Sequence, residues 1–339
     1  MKSLRNGLWN RRFSHIYVEE KIAEHALVKE WLSRLPGAEV IKIGHYKDVF
    51  SRAKQSYLRQ HRSQSLILAA KEGRLVYDGA PVCQDFGNKH FYYTSCVMNC
   101  IYDCEYCYLK GMYPTANIVV FVNYENIFSE IDRLLEEHEV YLCISYDSDL
   151  LALEHLTGLV KRFEEFASKR EKLTIEVRTK CASAALWEHL EPAFQMIYAF
   201  SLSPEEVIRE FEHGTPSLKE RTACIRALID RGFRVRLCFD PMIYVKDYPA
   251  VYQRMLNTVY EMLPLEKVFD VSVGSFRISK DYLKHMRRGN PDSAITQFPY
   301  ENENGVCHYP KRLMADMEQF LTDDLQKHIE PEKIYLWKD

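Results

Sequence analysis

The 339-residue sequence has no apolar run long enough to cross a bilayer, which argues against a membrane span. Its basic first thirteen residues are not followed by the apolar core of a secretory signal, so an unexported protein is expected. Neither G-x-G-x-x-G nor G-x4-G-K-[ST] occurs, and with them go the glycine loops that cradle nucleotide phosphates. There is no internal repeat and no low-complexity segment. Nor is there a large charge of one sign. The 45 Lys and Arg against 48 Asp and Glu leave a formal net charge of −3, which argues against a non-specific coat on nucleic acid. The most closely spaced cysteines lack a second C-x2-C pair, which zinc loops favour, and lack His partners at fixed spacing.

What is present is Cys100-Ile101-Tyr102-Asp103-Cys104-Glu105-Tyr106-Cys107-Tyr108, three cysteines at C-x3-C-x2-C. Three thiolates on a short loop can hold a four-iron cluster by three irons, leaving the fourth open to a small molecule. Closed electron-transfer clusters and most structural zinc sites use four ligands. Cys96 mimics another C-x3-C, but only Cys100, Cys104 and Cys107 include the x2 step. The competing readings are a zinc knuckle and buried core thiols; three cysteines within eight residues, flanked by Tyr and Asp, do not read as core. Ten cysteines in an unexported chain are expected to be reduced thiols, which suits an oxygen-sensitive cluster. The loop resembles that of the radical S-adenosylmethionine (SAM) enzymes. There SAM chelates the open iron of a [4Fe-4S] cluster, and an electron from the cluster cleaves it to a 5′-deoxyadenosyl radical.

Residues 15–82 read as a small α/β lobe: strands at 15–18 and 40–43, helices at 22–35 and 49–59, and a hairpin of 65–70 with 74–77 across Lys-Glu-Gly. From about residue 88 strands alternate with helices: 91–95, 140–146, 172–178, 195–201, 234–239 and 270–276 are strands, with a further extended stretch at 117–122. Such alternation implies a parallel sheet with right-handed crossovers. Polar groups gather at strand ends: Ser148 and Asp149, Lys180, Ser201 and Ser203, Asp240, and Ser275 with Arg277. They converge on the cluster only if the sheet curls, so the expected fold is α/β, a partial (β/α)6 barrel of TIM type. The expected division is an N-terminal lobe (1–87), the barrel (88–294) and a C-terminal hairpin plus helix (295–339), the hairpin pairing 297–300 with 306–309. Cations concentrate in residues 42–71 and again in 280–288, acids in 125–139 and 316–324; each basic run taken alone reads as solvated surface.

Across the barrel the chain resembles one radical SAM family, the spore photoproduct lyases, and more closely its clostridial branch. The segments that carry the resemblance are Cys-Glu-Tyr-Cys-Tyr-Leu-Lys (104–110), Asp-Ser-Asp-Leu-Leu-Ala-Leu-Glu-His-Leu-Thr (147–157), Ile-Glu-Val-Arg-Thr-Lys (175–180), Phe-Ser-Leu-Ser-Pro (200–204), Phe-Asp-Pro-Met-Ile (239–243) and Gly-Ser-Phe-Arg (274–277). The resemblance implies DNA repair: reversal of spore photoproduct (5-thyminyl-5,6-dihydrothymine) to two thymines, with the damaged pair turned out of the stack. It implies UV-damaged DNA as partner, an electron donor such as flavodoxin or ferredoxin, and the cytoplasm of an anaerobic spore former, in the spore core or germinating cell. By the same resemblance Cys100, Cys104 and Cys107 match the cluster ligands. Tyr106 and Tyr108 match tyrosines that line the SAM site and take part in hydrogen transfer. Ser148 and Asp149 match a pair near SAM and the lesion, and Lys180 and Ser201 match groups on the SAM carboxylate. Tyr309 matches an aromatic of a DNA-wedging hairpin, with Lys311 and Arg312 as phosphate contacts.

One position departs. Where the better-known branch has a Cys that quenches the product radical, aligned on Asp149, this chain has Tyr146. Cys143 lies three residues earlier, and in a regular strand an odd offset turns a side chain to the other face. Cys83, on the approach segment, is therefore the first choice of donor, with Tyr146 next and Cys96 remaining. Two other readings compete: a radical SAM enzyme acting on RNA or a small metabolite, and a non-enzymatic iron–sulfur or zinc module.

Overall fold

A computed structural model describes residues 13–80 and 83–337. The basic start of the chain and Pro81-Val82 of the approach segment lie outside the described residues. Along the chain the first strands are β1 (His15–Glu19), β2 (Glu39–Ile43), β3 (Leu66–Ala69), β4 (Val76–Asp78), β5 (Phe91–Thr94) and β6 (Val97–Met98). There follow β7 (Asp103–Cys104), β8 (Ile118–Phe121), β9 (Val140–Cys143), β10 (Leu173–Thr179), β11 (Met196–Ser201) and β12 (Glu212–His213). The last are β13 (Val235–Met242), β14 (Asp270–Ser275), β15 (Arg277–Ser279), β16 (Glu301–Glu303), β17 (Val306–His308) and β18 (Ile334–Leu336).

The larger sheet runs β18-β14-β13-β11-β10-β9-β5-β4. Its six central strands, β5 to β14 in that order, are all parallel, as the strand–helix alternation requires. β10 shows the division of faces. Ile175 and Val177 join the core beneath the helices, together with Leu142, Phe200, Leu237 and Val273 of neighbouring strands. The alternate residues Glu176 and Arg178 point the other way, into the concave side. There Arg236 Nη1 donates to Glu176 Oε2 (2.5 Å) and to Tyr141 Oη (2.6 Å), and Arg236 Nη2 donates to Asp270 Oδ2 (2.6 Å). Phe86 lies 3.3 Å above the Arg236 guanidinium and packs against Tyr141 and Tyr335. Gln84 Nε2 donates to Leu336 O on β18 (2.9 Å). One segment after β4 thus touches the opposite edge of the sheet, which is possible only because the sheet curls.

Several expected elements differ. β3 and β4 do not form a hairpin: β4 pairs antiparallel with β5 in the barrel sheet, while β3 lies between β1 and β8 in a five-stranded sheet, β2-β1-β3-β8-β6. β8, expected with the barrel, belongs to the lobe, so a cut at 87/88 does not separate the two sheets. The single helix expected at 49–59 is two, Lys47–Phe50 and Tyr57–His61, with Lys54 at φ 60° between them. The C-terminal hairpin is shifted: β16 pairs with β17 across Asn304-Gly305, both at positive φ (49° and 85°), the geometry a two-residue hairpin turn needs. β15 adds a third strand to it.

Candidate active site

The cluster loop is braced from three sides. Asn99 adopts φ 69°, and its amide nitrogen donates to Thr115 O and Asn117 O (both 2.8 Å). Gln64 Nε2 donates to Cys100 O (2.9 Å), and His61 Nε2 bonds Tyr102 O (3.1 Å). β7, which carries Cys104, pairs antiparallel with β12. Cys100 and Cys104 are buried and Cys107 is half-buried. Burial pushes all three thiols up, Cys104 to about 12, and each lies within electrostatic reach of the others. Buried thiols of this kind ionise only beside a compensating cation. Among the described residues no three His, Cys, Asp or Glu side chains form a ready single-ion site. A [4Fe-4S] cluster is larger, each thiolate taking a different iron, and three such thiols fit it.

Beside the loop the Lys180 ammonium sits 5.6 Å from the Tyr106 ring centroid. Burial alone would lower its pKa; Glu212 and the nearby Cys104 raise it, so it stays charged. Glu212 was not singled out from the sequence, because nothing local marks one Glu among the charges of residues 205–213. It is fully buried, accepting from the Tyr106 hydroxyl, from Ser203 Oγ (2.7 Å) and from Arg221 Nη2 (2.5 Å). Although burial pushes its carboxyl up, Arg221 and Lys180 hold it at about 2. Asp149 is occupied as a clamp: its oxygens accept from Ala152 N (3.2 Å), Thr179 Oγ1 (2.8 Å) and Lys180 N (2.7 Å). Neighbouring Ser148 has a buried hydroxyl with no protein partner, and the Ser201 carbonyl accepts from Arg221 Nη1 (2.9 Å).

Across the concave side the Tyr108 hydroxyl donates to Tyr146 O, and the Tyr146 ring stacks on Tyr93 with centroids 4.0 Å apart. Cys83 Sγ lies 3.7 Å from Tyr146 Oη. Arg178, Asp240 and Arg277 are close enough to bear on the Cys83 thiol, whose pKa burial raises. The expectation that Cys143 points away is overturned. β9 ends at Cys143, and the chain then turns so that Ser145 bridges Ser95 in antiparallel sense. Strand parity therefore does not carry from residue 143 to 146. Val140, Leu142 and Ile144 face the helices, and Cys143 shares the inner side with Tyr141, its thiol sensing Glu176, Arg178 and Cys83. Cys96 is fully buried near Lys71.

Tyr309 does not stand on the surface as a wedge. It is 1% exposed, its hydroxyl accepts from Tyr244 N (2.9 Å), and its ring packs against Phe298 and Tyr300. It anchors the C-terminal segment to the barrel. Lys311 and Arg312 are exposed at the start of the following helix, Lys311 ion-paired to Glu303 (2.7 Å) and Arg312 4.0 Å from Asp316.

The profile of the family described as "Spore photoproduct lyase" matches residues 90–295. Two curated relatives of that name are each 22% identical. The one from Clostridium acetobutylicum aligns over 69% of this chain and 73% of its own, and the one from Bacillus subtilis over 76% and 75%. In fold the chain is similar to a spore photoproduct lyase complexed with dinucleoside spore photoproduct: TM-score 0.78, 19% identity, covering 96% of this chain and 99% of that one. A spore photoproduct lyase variant with bound AdoMet and the same dinucleoside gives 0.77, at 19% identity over 95% and 97%. With the family profile spanning all six central strands of the barrel sheet, from β5 to beyond β14, this chain belongs to the spore photoproduct lyase family, radical SAM enzymes of DNA repair.

Proposed function

We propose that this protein reverses spore photoproduct in DNA to two thymines. The observation that carries the reading is one arrangement: a three-thiol loop with the Lys180 ammonium beside it, facing the Cys83–Tyr146 pair across the concave side of the sheet. When bound, the cluster and SAM supply a carbon radical able to remove a hydrogen atom from the lesion. The chain's own residues then do the rest. Lys180 offers a permanent positive charge to the SAM carboxylate, held in place by Asp149 on its backbone and Glu212 on its charge. Ser148 brings a buried, unpartnered hydroxyl, and Ser201 is a second buried serine of the site. Tyr106 is locked to Glu212 and forms a wall of the site.

After the carbon–carbon bond opens, the remaining thymine radical takes a hydrogen atom from the Cys83 thiol, which becomes a thiyl. The Tyr146 hydroxyl, 3.7 Å away, can return a hydrogen atom to that sulfur and become a phenoxyl, so the thiol is restored, and one electron from an external donor with a proton from solvent returns the phenoxyl to the phenol. Tyr108 steadies Tyr146 by donating to its carbonyl. A one-electron donor of the flavodoxin or ferredoxin kind and the cytoplasm of a spore former are the setting this chemistry calls for. Among the described residues no helix is long and apolar enough to cross a membrane.

The test is anaerobic reconstitution followed by repair of spore photoproduct with product analysis. The wild-type protein is expected to bind iron, cleave SAM and release two thymines. Cys104→Ala is expected to lose all three, and full iron loading and repair in that variant would remove Cys104 from the cluster. SAM cleavage without repair of any spore photoproduct substrate would reject the substrate assignment.

A further inference from the structure

The helix Lys280–Gly289 carries a basic face that neither the cluster nor the barrel interior explains. Lys280, Lys284 and Arg288 are exposed and recur every four residues, so they line up along one side of the helix. At about 1.5 Å of rise per residue they cover about 12 Å. Among the described residues none of the three side chains has an ion-pair or hydrogen-bond partner. They line a groove of about 670 Å³ between this helix and the C-terminal hairpin, with Tyr300 and Asn302 also lining it. The one acid of the lining is Asp281. Arg287, also on the groove, is committed to the fold through Thr296 O (2.7 Å) and Phe298 O (2.8 Å).

The groove is tied to the cluster loop. Helix Leu109–Met112, which begins two residues after Cys107, packs on helix Lys280–Gly289. Contact is so close at Gly111 that an added Cβ would lie 2.4 Å from Tyr282 O, and His285 Nδ1 bonds Gly111 O (2.9 Å). A row of unpaired cations in an open groove suits a polymer of regularly spaced anions better than a small anion, which needs donors converging on one point.

We propose that this groove holds the phosphodiester backbone of the DNA strand flanking the lesion, through Lys280, Lys284 and Arg288. This rests on the repair reading above. The hairpin cations are less suited, since Lys311 is neutralised by Glu303 and the hairpin itself carries Glu301 and Glu303.

The test uses the full chain with Lys280→Gln, Lys284→Gln and Arg288→Gln combined. Three readouts are taken: binding of undamaged duplex DNA across a salt series, repair of dinucleoside spore photoproduct, and repair of the lesion in duplex. At about 0.9 per phosphate contact, the logarithmic salt slope should fall by about 2 to 3. Duplex affinity at low salt should drop at least about tenfold, with a matching rise in KM for the duplex lesion. Repair of the dinucleoside, which has no flanking backbone, should keep its wild-type rate and so also report a folded site. Unchanged slope and affinity would overturn the proposal. Equal loss on both substrates would overturn it as well, since the three side chains would then serve the barrel and not the DNA. A wild-type protein that binds duplex with a steep salt slope but repairs neither substrate would instead overturn the repair reading and leave the groove standing.

Discussion

Cys83 and Tyr146 are 63 residues apart in sequence and 3.7 Å apart in space. The sequence could name each as a substitute donor because Tyr146 stands where the family's cysteine should be; it could not show that they touch. A hydrogen donor must come almost into contact with the radical, so position decides among thiols of similar bond strength. Cys83→Ala is expected to cleave SAM and open the lesion but to divert product to radical adducts formed with the reductant present. Tyr146→Phe is expected to give clean thymine in the first turnover and fall behind in later ones, if its phenol serves to restore the thiol. Chromatography of the products settles both. Because Cys143 also faces inward, Cys143→Ala is the necessary companion: clean product from it and diversion from Cys83→Ala assign the role, and the opposite result moves the donor to Cys143. Glu212 holds the buried Arg221 by an ion pair. Its carboxyl is held at about 2 against an ordinary value of 4.5, so its contribution to stability is full above pH 4.5 and fades as pH falls through 2. Glu212→Gln leaves Arg221 buried without its anion, a change that costs about 3–5 kcal/mol. The gap between wild type and variant in urea midpoint should be widest near neutral pH and narrow below pH 4.5; a gap constant with pH would mean that the variant fails through packing alone.

Elements with a strong period were legible, and those chosen by distant partners were not. The six parallel strands were readable from apolar runs alternating with helical ones, and β10 even displays its two faces as Ile175 and Val177 against Glu176 and Arg178. Lys71-Glu72-Gly73 gives a sound local turn signal, and Gly73 does adopt φ 79°. Yet β3 and β4 on either side go to different sheets, because β3 gains two parallel neighbours in the lobe and β4 completes the barrel edge. The Cys143 parity argument failed for a related reason: it assumed that β9 continues to residue 146, and strand length is fixed by pairing, not by the residues alone. The same holds for Tyr309, an aromatic whose place in the core depends on Phe298, Tyr300 and Tyr244. At Gly111 the contact between helices leaves no room for a side chain, and the obstructing atom is backbone. Gly111→Ala must therefore push helix Lys280–Gly289 outward, at a cost of about 1–3 kcal/mol. Thermal or urea unfolding checks this, and an unchanged midpoint would show that the two helices part without loss.

The whole chain does not divide where the change to alternating strands and helices suggested. β4, from the first 87 residues, closes the edge of the barrel sheet, while β6 and β8, from beyond that boundary, complete the lobe sheet around β3. Segment 83–88 then reaches across to the far edge, with Gln84 on Leu336 and Phe86 between Arg236 and Tyr335. Each sheet thus needs strands from both sides of the expected cut, and neither core is complete without the other part of the chain. A lobe of residues 13–87 alone would expose the edge of β3 that β8 covers and leave Leu66, Ile67 and Leu68 without one of their two flanking strands. Two sheets that each draw strands from both sides of the cut lose cooperative packing together, so unfolding of the full protein without cofactors should be a single transition, coincident by far-UV circular dichroism and tryptophan fluorescence. Trp31 in the lobe and Trp187 beneath the barrel sheet, both buried, report the two regions separately when each in turn is kept and the other three tryptophans are replaced by Phe. The fragment 1–87 should remain unfolded on its own. An early transition seen only by Trp31, or a fragment 1–87 with a cooperative melt, would show that the lobe is an independent domain after all, and that β8 docks on it as an ornament rather than as a strand the lobe needs.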